Sequence, residues 1–226
     1  MDPTIRAMGD RGLLVELGSG IDPAVNRRVQ RLHRLFLDEK PCGVVETVPA
    51  YASLLVVYDP LRAAPEALKR LIRGLCALED ETADELPHKA IDIPVVYGGE
   101  GGPDLEAVAA YHGLSPEEVV HLHAERTYRV YMIGFTPGFP YMGELPEALA
   151  TPRRETPRTH IPKGSVAIAQ RQTGIYPVVS PGGWQIIGHT PVSLFDPRLE
   201  HPSLLSMGDE VRFTPIRAEE AAQWVA

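Results

Sequence analysis

Three stretches of this chain hold residue types that can do binding chemistry. Residues 153 to 163 read RRETPRTHIPK and carry Arg153, Arg154, Arg158 and Lys163 against one acid, Glu155. Prolines 152, 157 and 162 stiffen the run, and a stiff frame reduces the entropy lost when side chains grip a ligand. A guanidinium forks onto the paired oxygens of a carboxylate or phosphate. The island therefore reads either as an anion grip or as an exposed turn whose arginines pair with nearby acids. A second run, GFTPGFPYMGELP (134–146), sets Phe135, Phe139 and Tyr141 among glycines and prolines. A third, RQTGIYPVVSPGGWQIIGHT (171–190), sets Tyr176 and Trp184 around Pro181, Gly182 and Gly183. Aromatic rings on rigid, glycine-broken loops line pockets. They also pack barrel corners, so both readings stand.

Other candidates fare worse. GGEGGP (98–103) lacks the lysine and Ser/Thr of a Walker loop and the spacing of a dinucleotide-binding turn, and reads as a turn. His121, His123 and Glu125 form H-x-H-x-E. Helical residues two apart point about 200° apart, so the imidazoles diverge, and surface or capping histidines are expected rather than a metal site. Cys42 and Cys76 have no metal or redox spacing and read as buried core thiols. No serine sits in a G-x-S-x-G elbow. No nucleophile is identifiable; the catalytic residues are unassigned and no metal ligand set is expected.

The elements that must position these residues fall into two groups. In the first, LLVEL (13–17), VVETV (44–48) and SLLVVY (53–58) read as strands. Asp22-Pro23 starts a helix whose Val25, Val29, Leu32 and Phe36 fall on one face. Pro65 opens another, with Leu68, Leu71, Ile72 and Leu75 as its stripe. A small open α/β sandwich follows, with two helices on one face of a sheet. EDETADELPH (79–88) reads as an acidic solvated linker. Beyond it come a strand at 91–97, whose Pro94 suggests an edge or bulge, a helix at 104–112 ended by Gly113, and a second helix capped by Ser115 with Glu118 reaching back. Then YRVYMIG, GSVAIAQ, TGIYPVV, WQIIG, VSLFD and EVRFTP alternate with Pro/Gly turns, as in a barrel or sandwich, and IYPVV and WQIIG read as the arms of one hairpin. Residues 218 to 225 read as a terminal helix.

Bulk properties bound the function. The 226 residues are 44% hydrophobic and 23% charged, enough for a sizeable core. A net charge of −8 opposes nucleic-acid binding, which needs a basic field. With no long apolar run, no signal-peptide pattern and two scattered cysteines, a reduced cytoplasmic protein without membrane contact is expected.

The motifs YRVYMIGFTPGFPYMGELP, TPRRETPRTHIPKGSVAIA and QTGIYPVVSPGGWQIIGHTPVSLFDP, in that order, closely resemble the family of KipI and the 5-oxoprolinase B subunit, also labelled allophanate hydrolase subunit 1. GDRGLLVELG and GVVETVPAYASLLVVYDP extend the resemblance over nearly the whole chain. It implies an α+β protein: an α/β sandwich domain (1–85) followed by a cyclophilin-like β-barrel domain (86–226). It implies one part of an ATP-dependent 5-oxoprolinase, inactive alone, working with a KipA-type companion (the C subunit of such enzymes) and a LamB-like protein on a small anionic amide. ATP with Mg²⁺ would belong to the complex, since no ATP loop is evident in this chain. The same family includes an inhibitor of a sensor histidine kinase and urea or allophanate pathway components, so those roles stay open. Opening a resonance-stabilised lactam requires holding a carboxylate and orienting the amide. On that reading Arg158 contacts the anion, with Lys163 and Arg154 behind it. Gln172 bonds the lactam, and Tyr176 and Trp184, with Phe135 and Phe139, form an apolar wall. Gly182 and Gly183 allow close backbone approach.

Overall fold

The computed structural model describes residues 2–78 and 88–224. The chain divides into two compact units, Met1–Pro87 and His88–Ala226. The expected boundary at 85/86 and nearly all of the acidic linker lie outside the described residues.

The first unit is a four-stranded antiparallel sheet built from β1 (Thr4–Met8), β2 (Gly12–Glu16), β3 (Val44–Pro49) and β4 (Ser53–Tyr58), in the order β1-β2-β4-β3. Helix α1 (Pro23–Glu39) packs on β3 and β4 and against α2 (Pro65–Ala77). Asp22 caps α1 by accepting from the Ala24 and Val25 amides. Val29, Leu32 and Phe36 are buried as the periodicity requires, but Asn26 and Gln30 share that face. They are satisfied by Asn26 donating to the Tyr51 carbonyl at 3.0 Å and Gln30 donating to Asn26 Oδ1 at 3.1 Å. In α2 only Leu68 and Ile72 are fully buried, and Leu71 is exposed. Strand β4 is sheltered on one face rather than both: Leu54, Val56 and Tyr58 point inward and alternate with half-buried neighbours. Strand β1, with Arg6 in its middle, is short and exposed except for half-buried Ile5.

The second unit is a closed seven-stranded barrel. Its strands are β5 (Ala90–Tyr97), β6 (Thr127–Ile133), β7 (Pro140–Gly143), β9 (Ser165–Ala169), β10 (Gln172–Ile175), β12 (Gln185–His189) and β13 (Glu210–Pro215). They close in the order β10-β7-β6-β13-β5-β12-β9. The pair β5–β13 is parallel, six residues in register. Helices α3 (Leu105–His112) and α4 (Pro116–Ala124) add Val108 and Val119 to a core that includes Ile93, Val130, Ile168 and Phe213. The capping box is present: Ser115 Oγ accepts from the Glu118 amide, and Glu118 accepts from the Ser115 amide at 2.7 Å. The short α5 (Ala218–Ala221) and a 3-10 turn (Ala222–Trp224) follow β13. With the two helices of the first unit, the described residues form a mixed α/β fold with five α-helices.

Three expectations change. Strands β10 and β12 are not hairpin arms, because β9 lies between them and pairs with both. All five β9 residues are buried, so both its edges take a partner. The residues between β10 and β12 leave the barrel: β11 (Ser180–Gly182) pairs with β8 (Arg158–Ile161) in a separate two-stranded sheet. VSLFD forms no strand: its β-pairing is confined to the Phe195–Ser203 bridge, while Leu194 packs into the barrel core. Prolines 191, 197 and 202 interrupt the amide donors a ladder would need.

Candidate functional site

Pairing of β8 with β11 sets the Pro-Gly-Gly turn against the arginine island, with Gly182 opposite Arg158 and a bulge between Ser180 and Gly182. A cavity of about 290 Å³ opens beside this sheet, lined by Phe135, Phe139, Tyr141, Arg153, Pro157, Tyr176, Pro181, Gly182, Gly183 and Trp184. Phe139 is its hub. Ring centroids of Tyr141, Tyr176 and Trp184 lie 4.9, 5.1 and 5.6 Å from it in edge-to-face geometry, the arrangement aromatic quadrupoles favour. Phe139 and Tyr176 are buried to 1% exposure and Trp184 to 5%, whereas Phe135 is 59% exposed. The cavity thus has a fixed aromatic floor and an open aromatic rim. Phe135 also has φ +65°, a left-handed conformation that costs a bulky residue roughly 1–2 kcal/mol and presents the ring outward.

Gly182 is explained by packing. A Cβ there would collide with the Tyr176 hydroxyl and lie 2.9 Å from Ile161 Cδ1. Gly183 has room, since its Cβ would meet Pro157 at an ordinary 3.6 Å. Burial raises the Tyr176 pKa, opposed by a hydrogen bond from the Trp184 backbone and by the positive charges of Arg153 and Arg158. Burial likewise raises Tyr141, opposed by Arg153. Both phenols are therefore neutral at physiological pH and carry a proton.

The structure divides the expected site residues. Phe135, Phe139, Tyr176, Gly182, Gly183 and Trp184 line the cavity. Arg154, Arg158, Lys163 and Gln172 do not. Both arginines grip Asp104, which is 3% exposed. Arg158 is bidentate, donating Nη1 to Oδ2 and Nη2 to Oδ1, each at 2.8 Å, and Arg154 Nη1 donates to Oδ1 at 2.9 Å. The hydrogen bond to Asp104 is also the main reason the Arg158 pKa rises. Oδ2 additionally accepts the Ile186 amide at 2.7 Å. Asp104 occupies the N-cap position of α3 yet makes no side-chain cap bond, because its carboxylate is committed to these donors. The island thus pairs with an acid, but a buried one 50 and 54 residues away. Lys163 is exposed, and its carbonyl faces the His189 ring at 3.0 Å. Gln172 is half-buried at the start of β10, opposite Ala169.

Tyr141, Arg153, Pro157 and Pro181 complete the lining; all four lie in the candidate stretches, but none is given a role at the site by the sequence. Tyr141 is within reach of sequence reasoning, since residues two apart along an extended chain share a face and Phe139 is already a candidate. Arg153 makes no ion pair among the described residues, unlike its neighbour Arg154.

Other sequence candidates resolve as structure. His123 is fully buried inside the barrel, not a surface group; His121 is exposed and faces Glu125 at 3.4 Å. The imidazoles do diverge. His123 Nδ1 lies 2.7 Å from the Tyr97 hydroxyl and Nε2 lies 2.9 Å from Thr173 Oγ1, and desolvation lowers its pKa to about 3. The GGEGGP loop commits two of its amides to its own chain: Gly98 N–H donates to the Ile187 carbonyl and Gly102 N–H to the Gly98 carbonyl. Cys42 is exposed and Cys76 half-buried, so neither is a core thiol. Among the described residues no cluster of three His, Cys, Asp or Glu could hold a metal ion, and no helix is long and apolar enough to cross a membrane.

Known proteins share this architecture. The family model of the carboxyltransferase domain, subdomain C and D, matches residues 3–205. The 5-oxoprolinase B subunit of Escherichia coli O157:H7 is 47% identical over 209 residues, 92% of this chain and 94% of that protein. The Bacillus subtilis (strain 168) protein of the same name is 41% identical over 230 residues, 96% and 94% of the two chains. The crystal structure of TTHA0988 superposes with a TM-score of 0.81 at 43% identity, covering 92% of this chain and 40% of that one. The Kluyveromyces lactis urea amidolyase, at 22% identity, shares the fold over 98% of this chain and 15% of its own, with a TM-score of 0.78. The chain therefore belongs to the carboxyltransferase subdomain C and D family and, within it, to the group of KipI and the 5-oxoprolinase B subunits.

Proposed function

We propose that this chain is the B-type subunit of an ATP-dependent 5-oxoprolinase, and that the aromatic cavity receives the cyclic amide that the assembly opens to glutamate. The observation that carries the reading is the cavity itself. It combines a floor of Phe139, Tyr176 and Trp184, neutral phenols, and an arginine without an ion pair among the described residues. It does so in a chain 47% identical to a 5-oxoprolinase B subunit. Its volume of about 290 Å³ lies at the small end of ligand sites, typically about 300–1,000 Å³. That suits a single small ring better than a nucleotide. The flat faces of the floor orient a lactam and exclude water from it. The Tyr176 hydroxyl, its pKa raised by burial, keeps its proton to donate to the lactam oxygen.

Among the described residues, none is assigned to ATP or Mg²⁺. The Gly98 and Gly102 amides of GGEGGP are bonded within the chain, and among the described residues no group of three His, Cys, Asp or Glu could hold a metal ion. No phosphoryl-transfer step is assigned to this chain; the KipA-type and LamB-like companions are proposed to supply it. The test is ATP-dependent cleavage of 5-oxoproline by the chain alone and copurified with those companions. Turnover only in the full set supports the reading. Robust turnover by the chain alone overturns the shared-site part, and none by any combination overturns the activity.

A further inference from the structure

Three arginines share the segment beside the cavity, but only Arg153 lines it. Arg154 and Arg158 spend their guanidinium groups on the buried Asp104 carboxylate. Arg153 lines the cavity, is exposed and makes no ion pair among the described residues. Its direction is set by its surroundings. The Arg154 amide donates to the Gly183 carbonyl at 2.7 Å. Gln185 Nε2 donates to the Pro152 carbonyl at 2.9 Å. The backbone on both sides of Arg153 is thereby fastened to the cavity wall, while its neighbour is pulled to Asp104. The lining residues include no acid, so none of them repels an anion, and the aromatic floor lowers the local polarity in which a guanidinium and a carboxylate attract.

We infer that Arg153, rather than Arg158, anchors a carboxylate in this cavity, so that the site selects small ring acids over neutral rings of the same shape. The inference rests on the cavity being the ligand site proposed above, but not on the identity of the ligand. A forked charge-assisted contact fixes the carboxylate at the rim, and the rest of the ring lies against Phe139 and Trp184. Arg158 and Arg154 act through Asp104 as positioning residues.

The experiment is calorimetric titration of the full chain, alone and copurified with its companions, with two matched pairs. The first is 5-oxoproline against 2-pyrrolidinone, the same lactam without its carboxylate. The second is cyclopentanecarboxylate against cyclopentanecarboxamide. Thermal melts should show that Arg153→Gln and Arg153→Lys fold normally, since the side chain is exposed and supports no ion pair among the described residues. The unaltered protein should prefer each acid by about 10–100-fold, the range expected for a charge-assisted contact. Arg153→Gln should abolish that preference while changing affinity for the neutral rings by less than ~2-fold, and Arg153→Lys should restore part of it. A preference that survives Arg153→Gln, or binding of no acid by chain or assembly, overturns the inference. If Arg153 governs cyclopentanecarboxylate binding while 5-oxoproline neither binds nor is cleaved, the anchor stands and the 5-oxoprolinase reading falls. If 5-oxoproline is cleaved with unchanged KM in Arg153→Gln, the activity stands and the anchor falls.

Discussion

The barrel unit contains two aromatic clusters of similar composition and opposite character. One groups Tyr97, His123, Tyr128 and Phe213. His123 stacks on Phe213 at 4.5 Å, both its ring nitrogens have partners, and the Tyr128 hydroxyl donates to the His123 carbonyl at 2.9 Å. The other groups Phe135, Phe139, Tyr141, Tyr176 and Trp184, equally well packed ring on ring, but around a space. In the first, every polar atom of the histidine ring is satisfied within the protein, and nothing remains to offer a ligand. In the second, ring faces, the Tyr176 proton and one guanidinium border the cavity. Residues capable of chemistry become a site only where their bonding capacity is left unspent.

The largest way to break the comparison is to remove a wall of the open cluster. Trp184→Ala deletes a 5% exposed ring and should cost about 3–5 kcal/mol in urea unfolding. Phe135→Ala, at the 59% exposed rim, should change stability by less than about 0.5 kcal/mol while weakening ligand binding. Equal losses in the two variants would mean that the rim is core. Next, Asp104→Ala strips the partner from Arg154, Arg158 and the Ile186 amide at once. A loss of about 3 kcal/mol is expected, with ligand affinity falling alongside it as the Arg153 segment loosens. A melt unchanged from the parent protein would show that the arginines do not depend on this acid.

The sealed cluster predicts a pH effect. Folding depresses the His123 pKa from 6.5 to about 3. The unfolded chain therefore takes up a proton below pH ~6.5 that the folded chain refuses. The contribution is fully present above the unfolded pKa and is lost as pH falls from ~6.5 toward ~3. Between pH 7 and 5 the histidine should remove about 2 kcal/mol of stability. His123→Phe, which keeps the stack, should lack that component, and parallel stability–pH curves for the two proteins would contradict it. The smallest effect separates the two glycines. Gly182→Ala forces Tyr176 aside and should cost about 1–2 kcal/mol. Gly183→Ala meets only ordinary contact and should stay within about 0.5 kcal/mol.

Much of the fold is legible in the sequence. Ser53–Tyr58 and Glu210–Pro215 are strands as expected, because alternation and flanking turn residues are local signals. The Ser115 capping box spans three residues and is visible for the same reason. Strand β1 and the detour of β11 to β8 are not, since each is defined by a partner rather than by its own pattern. The site follows the same division. The three motif segments do meet, and six of the ten expected residues line one cavity. The part that sequence misses is Arg153 against Arg158.

The sequence by itself determined the local elements, the family and the segments that surround the cavity, because those are carried by neighbouring residues. Only the tertiary structure decided which arginine faces the cavity and which are tied down. In the sequence Asp104 is only the first residue of a short helix, and its partners lie 50 and 54 residues farther along the chain. Coulomb attraction acts through space, so a charge's availability is set by what the fold brings beside it.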